Sequence, residues 1–283
     1  MFRIVCLVCG LFSFAAIAAD SFSEVKISSQ HLAGSVYILT GAGGNIGVSA
    51  GADGILIVDD QYEPLAEKIS AALSDINSNP LRYVINTHYH GDHTGSNAWF
   101  HQVKEVTIFA QENVRKRLLT EHADKPAALP VVTFEQGIKF HFNGETITVM
   151  HLPAGHTDGD SVVWFEKANV LHAGDLFFAA RFPYIDLAGG GSVAGYIQNV
   201  QHLIDNLAED TQIIPGHGNL ATKVDYQNFL DMIRQTAAFV KQGKDSGQSL
   251  ENMLNVGLDP KWKTWSWEFI NEERWISTLY NGQ

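Results

Sequence analysis

Between positions 87 and 93 the chain reads Thr87-His88-Tyr89-His90-Gly91-Asp92-His93, directly after the apolar run Tyr83-Val84-Ile85. Histidines at i and i+2 cannot share one helix face, so His88 and His90 are expected at a strand end or in a loop, where both rings can converge on one ion. Asp92 and His93, on the next turn of chain, can face a second. Imidazole suits zinc and other borderline first-row metals, and a carboxylate hardens the second position without excluding zinc. The stretch therefore predicts a metal site, and one built for two ions. A solvated histidine-rich loop is the competing account, and it leaves the distant partners unexplained.

Those partners come at three further stations. Ala154-Gly155-His156-Thr157-Asp158-Gly159-Asp160 follows the alternating segment Thr146-Ile147-Thr148-Val149-Met150. Val170-Leu171-His172-Ala173-Gly174-Asp175 and Gln212-Ile213-Ile214-Pro215-Gly216-His217-Gly218 come later. Each time a short β-rich run ends, glycine loosens the backbone, and a His or Asp follows. Ligands at the same end of successive strands meet at one sheet edge, so the pattern predicts a single cleft. Taken singly, His156 or His217 reads as a structural histidine and Asp175 as a turn residue. Repetition of the strand, glycine and ligand arrangement favours metal.

The four ordered motifs, His-x-His-x-Asp-His, Gly-His-Thr, Gly-Asp and Gly-His-Gly, resemble those of the metallo-β-lactamase superfamily of metallohydrolases over roughly residues 30 to 220. The resemblance implies an α/β fold, the four-layer αββα sandwich, with two mixed sheets face to face, helices outside and the metals at one edge. It implies His88, His90 and His156 on a first metal, Asp92, His93 and His217 on a second, and Asp175 bridging both. The implied cofactors are two Zn2+ ions per chain, with iron as the alternative. Zinc lowers the pKa of its water from about 15.7 to near 7, and two ions ~3.5–4 Å apart can share the resulting hydroxide. Asp92 is then the catalytic residue that orients this hydroxide and helps protonate the leaving group. Carboxylates or carbonyls behind the ligands are expected to hold the imidazole tautomers. Asp59, Asp60 and His172 are candidates, and each is equally readable as a plain strand-end residue.

Met1-Phe2-Arg3, an apolar stretch over residues 4–15 and the small-residue site Ala16-Ile17-Ala18 read as a signal peptide over residues 1–19, which implies a periplasmic or secreted protein. The stretch falls short of the ~20 residues that cross a bilayer, so no membrane span is expected. Both cysteines, Cys6 and Cys9, lie in this leader, leaving the mature chain without disulfide or thiolate ligand. Residues 20–283 are expected to form a single catalytic domain, since no linker or repeat divides them. Acidic residues outnumber basic ones 31 to 19. Such a surface lacks the basic footprint that nucleic-acid binding requires, and the expected partner is a small-molecule substrate.

Ile55-Leu56-Ile57-Val58 reads as a continuous apolar strand ending at Asp59-Asp60, with Leu65, Ile69 and Leu73 following at helical spacing. Thr40-Gly41-Ala42-Gly43-Gly44-Asn45 reads as a hairpin tip, placed where the family carries a mobile loop over the cleft. Tyr196, Val200, Leu203, Ile204 and Leu207 make an amphipathic helix that Ser192 can cap, and another runs through Tyr226, Phe229, Leu230, Ile233, Ala237 and Val240. Trp262, Trp265, Trp267 and Trp275 crowd the C-terminal end. Phe269, Ile276 and Tyr280 continue a helical pattern there, which predicts a terminal helix packed on a sheet face in preference to a substrate platform.

These readings converge on an exported zinc hydrolase that opens a cyclic amide or ester, with a β-lactam the leading substrate class. In one lactamase branch of the family a cysteine holds the bridging position, and a lysine three residues later grips the substrate carboxylate. Here Asp175 and Phe178 stand at those positions. Asp175 instead matches thioesterases of the glyoxalase II type, lactonases and general hydrolases. Arg181 either replaces the missing lysine or is a surface arginine. Phe178, Phe182, Pro183 and Tyr184, with Gly189-Gly190-Gly191, suit an apolar pocket wall or an ordinary loop. The alternatives are a lactonase or thioesterase, an iron-dependent persulfide dioxygenase on a similar scaffold, and a periplasmic metal-binding accessory protein without turnover.

Overall fold

In the computed structural model, which describes residues 22–283, the apolar run 55–58 lies at the middle of a seven-stranded sheet. The signal-peptide reading and both cysteines fall outside the described residues. The sheet follows chain order through β1 (Ser28–Ala33), β2 (Val36–Thr40), β3 (Ile46–Gly51), β4 (Gly54–Val58), β5 (Leu81–Asn86), β6 (Thr107–Gln111) and β7 (Val132–Phe134). Pairing is antiparallel from β1 to β4 and parallel from β4 to β7. A second sheet runs β12-β11-β10-β9-β8, built from β8 (Gly137–Phe142), β9 (Glu145–His151), β10 (Ser161–Phe165), β11 (Val170–His172) and β12 (Gln212–Ile214). All its pairs are antiparallel except β11 with β12.

Successive strand residues point to opposite faces, so β4, buried along its whole length, divides its apolar run between two cores. Leu56 and Val58 enter the space between the sheets with Ile85, Val149, Val163 and Ile214. Ile55 and Ile57 face outward onto helix α1 (Ala66–Ile76), where Ile69 and Leu73 repeat at the expected spacing. The short α2 (Gly91–Thr94) starts at the end of the histidine motif, and α3 (Asn97–Lys104) and α4 (Glu112–Glu121) complete the first half. On the far face of the second sheet, Val162, Leu171 and Ile213 pack against α5 (Val193–Asn206) and α6 (Lys223–Asp245). The layers are therefore helix, sheet, sheet, helix. Ser192 caps α5 by accepting from Gly195 N, and Thr222 with Asp225 closes a capping box on α6.

The C-terminal expectation needs correction. Trp262 and Trp265 lie in a tight 3-10 turn, Pro260–Trp265, and Trp267 and Phe269 follow outside any helix. After α7 (Leu250–Val256) and this turn, the terminal helix α8 (Glu272–Asn281) contains Trp275, Ile276 and Tyr280 but begins only after Asn271, whose side chain accepts from Arg274 N. That cap fixes the start of the helix at Glu272, three residues beyond Phe269. α8 also packs on α6, with Trp275 Nε1 donating to Thr236 Oγ1 at 3.1 Å, and not on a sheet face.

Candidate metal centre

The ends of β4, β5, β9, β11 and β12 meet at one edge, where the backbone of the two sheets is stitched together. Ser161 N donates to Thr87 O at 2.8 Å, and Asn45 N donates to Gly216 O at 2.8 Å. β5 runs out at Asn86, and the extended residues Thr87 to His90 lead into α2, which turns Asp92 and His93 back toward the same space. All seven sequence-predicted residues gather there, in two groups whose ligand atoms lie within 4.8 Å of one another. His88, His90, His156 and Asp175 form the first, and Asp92, His93 and His217 the second.

Asp175 faces both groups. Its Oδ2 stands 3.4 Å from His156 Nε2 and 3.8 Å from His88 Nε2. Its Oδ1 stands 3.1 Å from His93 Nε2 and 3.4 Å from His217 Nε2. Asp92 Oδ2 lies 3.2 Å from His217 Nε2. Close packing brings the stations this near: a β-carbon on Gly216 would collide with Asp175 Oδ1, and one on Gly44 with the His93 ring.

The donors fit metal chemistry. His88 Nε2 and Asp175 Oδ1 are buried without a hydrogen-bond partner among the described residues, a costly state for polar atoms unless a ligand completes it. Both point into the groups, and imidazole nitrogen with carboxylate oxygen is a donor set zinc accepts. The outward nitrogens of four rings are engaged. His93 Nδ1 contacts Asp59 Oδ2 at 2.7 Å, His90 Nε2 contacts Asp186 Oδ2 at 3.0 Å, and His156 Nδ1 contacts Tyr184 O at 2.7 Å. His88 Nδ1 lies 3.0 Å from Thr87 Oγ1, which itself donates to Asp59 Oδ2 at 2.8 Å. Such partners select the tautomer that leaves the inward nitrogen free as a donor to metal.

Asp59 thus does what was expected of it, and Asp60 and His172 do not. Asp60 accepts from Ser96 N at 2.9 Å, and His172 Nε2 contacts Asn45 O at 3.1 Å, so neither touches a cluster imidazole. Asp186 and the carbonyl of Tyr184 were missed. Both come from an irregular stretch without periodicity, and a carbonyl carries no residue signature. Asp160 was noted only as part of its station, yet it shapes that loop. Its carboxylate accepts from His156 N at 2.6 Å and from Thr157 N at 2.9 Å. The hairpin tip is where it was placed, joining β2 to β3. It is tied down at Gly44, whose N donates to Asp92 O at 3.0 Å and whose carbonyl accepts from Gln61 Nε2 at 2.7 Å.

Electrostatics follow the same division. Burial pushes the Asp175 carboxyl up, but His217, His93, His88 and His156 together hold it well below the usual range. Burial works against a charged His217, yet Asp175 and Asp92 push its pKa up to about 9. Burial dominates at His156 and lowers it to about 4. Above the groups opens a cleft of about 660 Å³, whose walls include Tyr62, Phe178, Arg181, Tyr184, Trp267 and Phe269. Of the two readings left open for this stretch, Phe178 and Tyr184 take the pocket wall. Phe182 belongs to the core, stacked on Trp275 at 5.8 Å. The sequence reading that set Trp267 and Phe269 apart from substrate is overturned by their place in this wall.

The profile of the metallo-beta-lactamase superfamily matches residues 32–217, more than half of the sequence, and the chain belongs to this superfamily. It is 25% identical over 165 residues to metallo-beta-lactamase IND-1 of Chryseobacterium indologenes, covering 58% of this chain and 67% of that protein. It is 26% identical over 197 residues to a hydroxyacylglutathione hydrolase of Rhizobium meliloti, covering 64% and 71%. The crystal structure of DIM-1 metallo-beta-lactamase superposes with a TM-score of 0.64 at 19% identity, over 75% of this chain and 99% of that one. The protein is a superfamily hydrolase with a His/Asp cluster suited to metal.

Proposed function

We propose that this is an exported zinc-dependent hydrolase with two ions per site, one that opens a cyclic amide or ester, β-lactams being the first class to test. The observation that carries the reading is Asp175, which turns one oxygen to each ligand group at the floor of a substrate-sized cleft. His88, His90 and His156 would hold one ion, Asp92, His93 and His217 the other, with Asp175 between them. Zinc bound there would supply Lewis acidity, making water ionise near neutral pH and drawing charge from an electrophilic carbonyl.

The chain's own residues supply position and proton transfer. Asp92 is the more accessible carboxylate, 21% exposed against 4% for Asp175. Burial raises its pKa, but His93 and His217 more than offset this and keep it low, so it is ionised at neutral pH. Its Oδ2 can take a proton from the attacking water and deliver it to the leaving nitrogen or oxygen. Asp175, shielded from solvent, has the positioning role. The aromatic walls exclude water and bind the apolar body of the substrate.

A second reading, thioester hydrolysis, is favoured by the acid at position 175 and by the hydroxyacylglutathione hydrolase among the relatives. One panel tests both. Zinc-loaded protein is assayed on a chromogenic cephalosporin, a lactone and a glutathione thioester, each with and without chelator. The expected outcome is lactam turnover that a chelator abolishes and added zinc restores. Turnover of the thioester alone would replace the lactam reading with the second one. Iron at one per chain, with oxygen uptake, would replace both.

A further inference from the structure

Residues 22–27 precede both β1 and the matched stretch 32–217, and no helix or strand spans them. They are nevertheless gripped by a single side chain. Lys68, on the first turn of α1, donates from Nζ to Phe22 O at 3.0 Å, to Ser23 O at 2.5 Å and to Val25 O at 2.8 Å. An ammonium has three protons, so the whole donor capacity of Lys68 goes to this one segment. The first turn of a helix disfavours a cation, because its N–H groups carry partial positive charge. Three carbonyl dipoles offset that at Lys68, which makes it a clamp for residues 22–25.

The clamped segment reaches the mouth of the cleft from behind. Phe22, Val25 and Ile27 pack against the core under α1, as does Ala42 of the hairpin tip. Ile27 fills the space next to Gly41, where a β-carbon would stand 2.5 Å from Ile27 Cδ1 and 2.7 Å from Gln61 Oε1. The Phe22 ring lies 5.3 Å from that of Tyr62, a wall residue of the cleft. Tyr62 in turn borders the tip at Gly43, where a β-carbon would meet Tyr62 Cε2 at 3.3 Å and Asp92 O at 2.9 Å. Gln61, which aims Tyr62, has a φ of 57°, in the left-handed region that costs a non-glycine residue energy. The Tyr62 carbonyl accepts from Ser96 Oγ at 3.0 Å and from Leu65 N at 2.9 Å. Its backbone is thus fixed, while its ring, 37% exposed, has Phe22 as its aromatic neighbour.

We propose that residues 22–27 are a brace for one wall of the cleft: with Lys68 holding their carbonyls, Phe22 fixes the Tyr62 ring and Ile27 the hairpin tip, so that substrate meets a wall already in place and no loop has to close over it. Phe22 and Lys68 are positioning residues, and neither is among the residues that line the cleft. Ordering a mobile side chain during binding costs affinity, and the brace moves that cost to folding. The consequence for KM rests on the hydrolase reading above, and the consequence for backbone exchange does not.

In the zinc-loaded, full-length chain, K68M is expected to speed amide hydrogen exchange at residues 40–45 about tenfold, the scale of a lost charge-assisted hydrogen bond, with zinc affinity unchanged. K68R, which keeps donors for the carbonyls, recovers part of the protection. On whichever substrate of the panel above is turned over, F22A is expected to raise KM about 2- to 10-fold, the scale of ordering one ring on binding, with kcat kept within about twofold. Tyr62 has to transmit that effect, so F22A in a Y62A background should add nothing to KM. Where F22A folds poorly, F22L, which keeps apolar bulk and loses the ring, makes the same comparison. Unchanged exchange at 40–45 in K68M would overturn the brace, and so would equal KM losses from F22A with and without Tyr62. A joint fall in kcat and zinc affinity, with no KM split, would reduce the segment to a general support of the fold and refute the positioning role. Absence of turnover on every substrate would count against the hydrolase reading instead, and exchange in K68M then decides the brace.

Discussion

Asp186 stands behind His90 as Asp59 stands behind His93, and it also accepts from Tyr89 Oη and, through its other oxygen, from Gly189 N at 2.8 Å. Losing such a partner typically weakens metal binding 10- to 100-fold. Asp186→Ala should therefore lower zinc affinity by about that factor at the His88, His90 and His156 group, read by competition with a chromophoric chelator. An unchanged affinity would show that His90 is oriented by packing alone. A second expectation concerns protons. With its pKa pushed up to about 9, the metal-free His217 is charged at pH 7, and a metal needs it neutral. Zinc uptake at pH 7 should release a proton from this site, and that release should fade as the pH passes about 9. Calorimetry in buffers of different ionisation enthalpy measures it. The sign for stability follows: a histidine raised from its ordinary value of about 6.5 stabilises the metal-free fold fully below that pH and ceases to do so as pH rises through about 9. At this scale the candidate ligands were legible because each carries its chemistry in its side chain. Tyr184 was legible only as a ring, whereas the atom that holds His156 is its backbone oxygen.

Among the elements, α6 shows how local signals and packing agree. Its apolar stripe from Tyr226 to Val240 is buried, and its start is set by the Thr222 and Asp225 capping box. Thr222→Ala should cost about 1 kcal/mol, seen as a lower denaturant midpoint with an unchanged slope. A larger loss accompanied by a changed slope would mean that the cap supports more than the helix end. The strand β4 and helix α5 were equally readable, since a buried run and a period near 3.6 leave few alternatives. The C-terminal aromatics were not. Trp267 and Trp275 look alike in sequence, yet one lines the cleft and the other fills the core against Phe182. The helical pattern ran through Phe269, but the Asn271 cap placed the boundary after it.

At the scale of the molecule, the residues that could hold a metal come from both halves of the sandwich. His88, His90, Asp92 and His93 follow the first sheet's β5, and His156, Asp175 and His217 follow strands of the second. An ion shared by these residues would join the two halves, and a ligand that binds only the folded state raises stability by mass action, by about 4 kcal/mol at a thousandfold excess over Kd. The melting temperature should therefore rise with free zinc and fall with chelator. A melting temperature indifferent to both would separate the centre from folding. By itself the sequence determined the types and order of the candidate ligands, the strands that carry them and the Ser192 cap of α5, because those depend on side-chain chemistry and on periods of two and 3.6 residues. Tertiary structure alone decided that Asp186 and a carbonyl steady two of the imidazoles, that Asp60 and His172 do not, and that the segment after the 3-10 turn brings an indole beneath Arg181. Those contacts join residues as far as 96 positions apart, as His90 and Asp186 are. No local pattern encodes them, because they exist only once the two sheets have closed on each other.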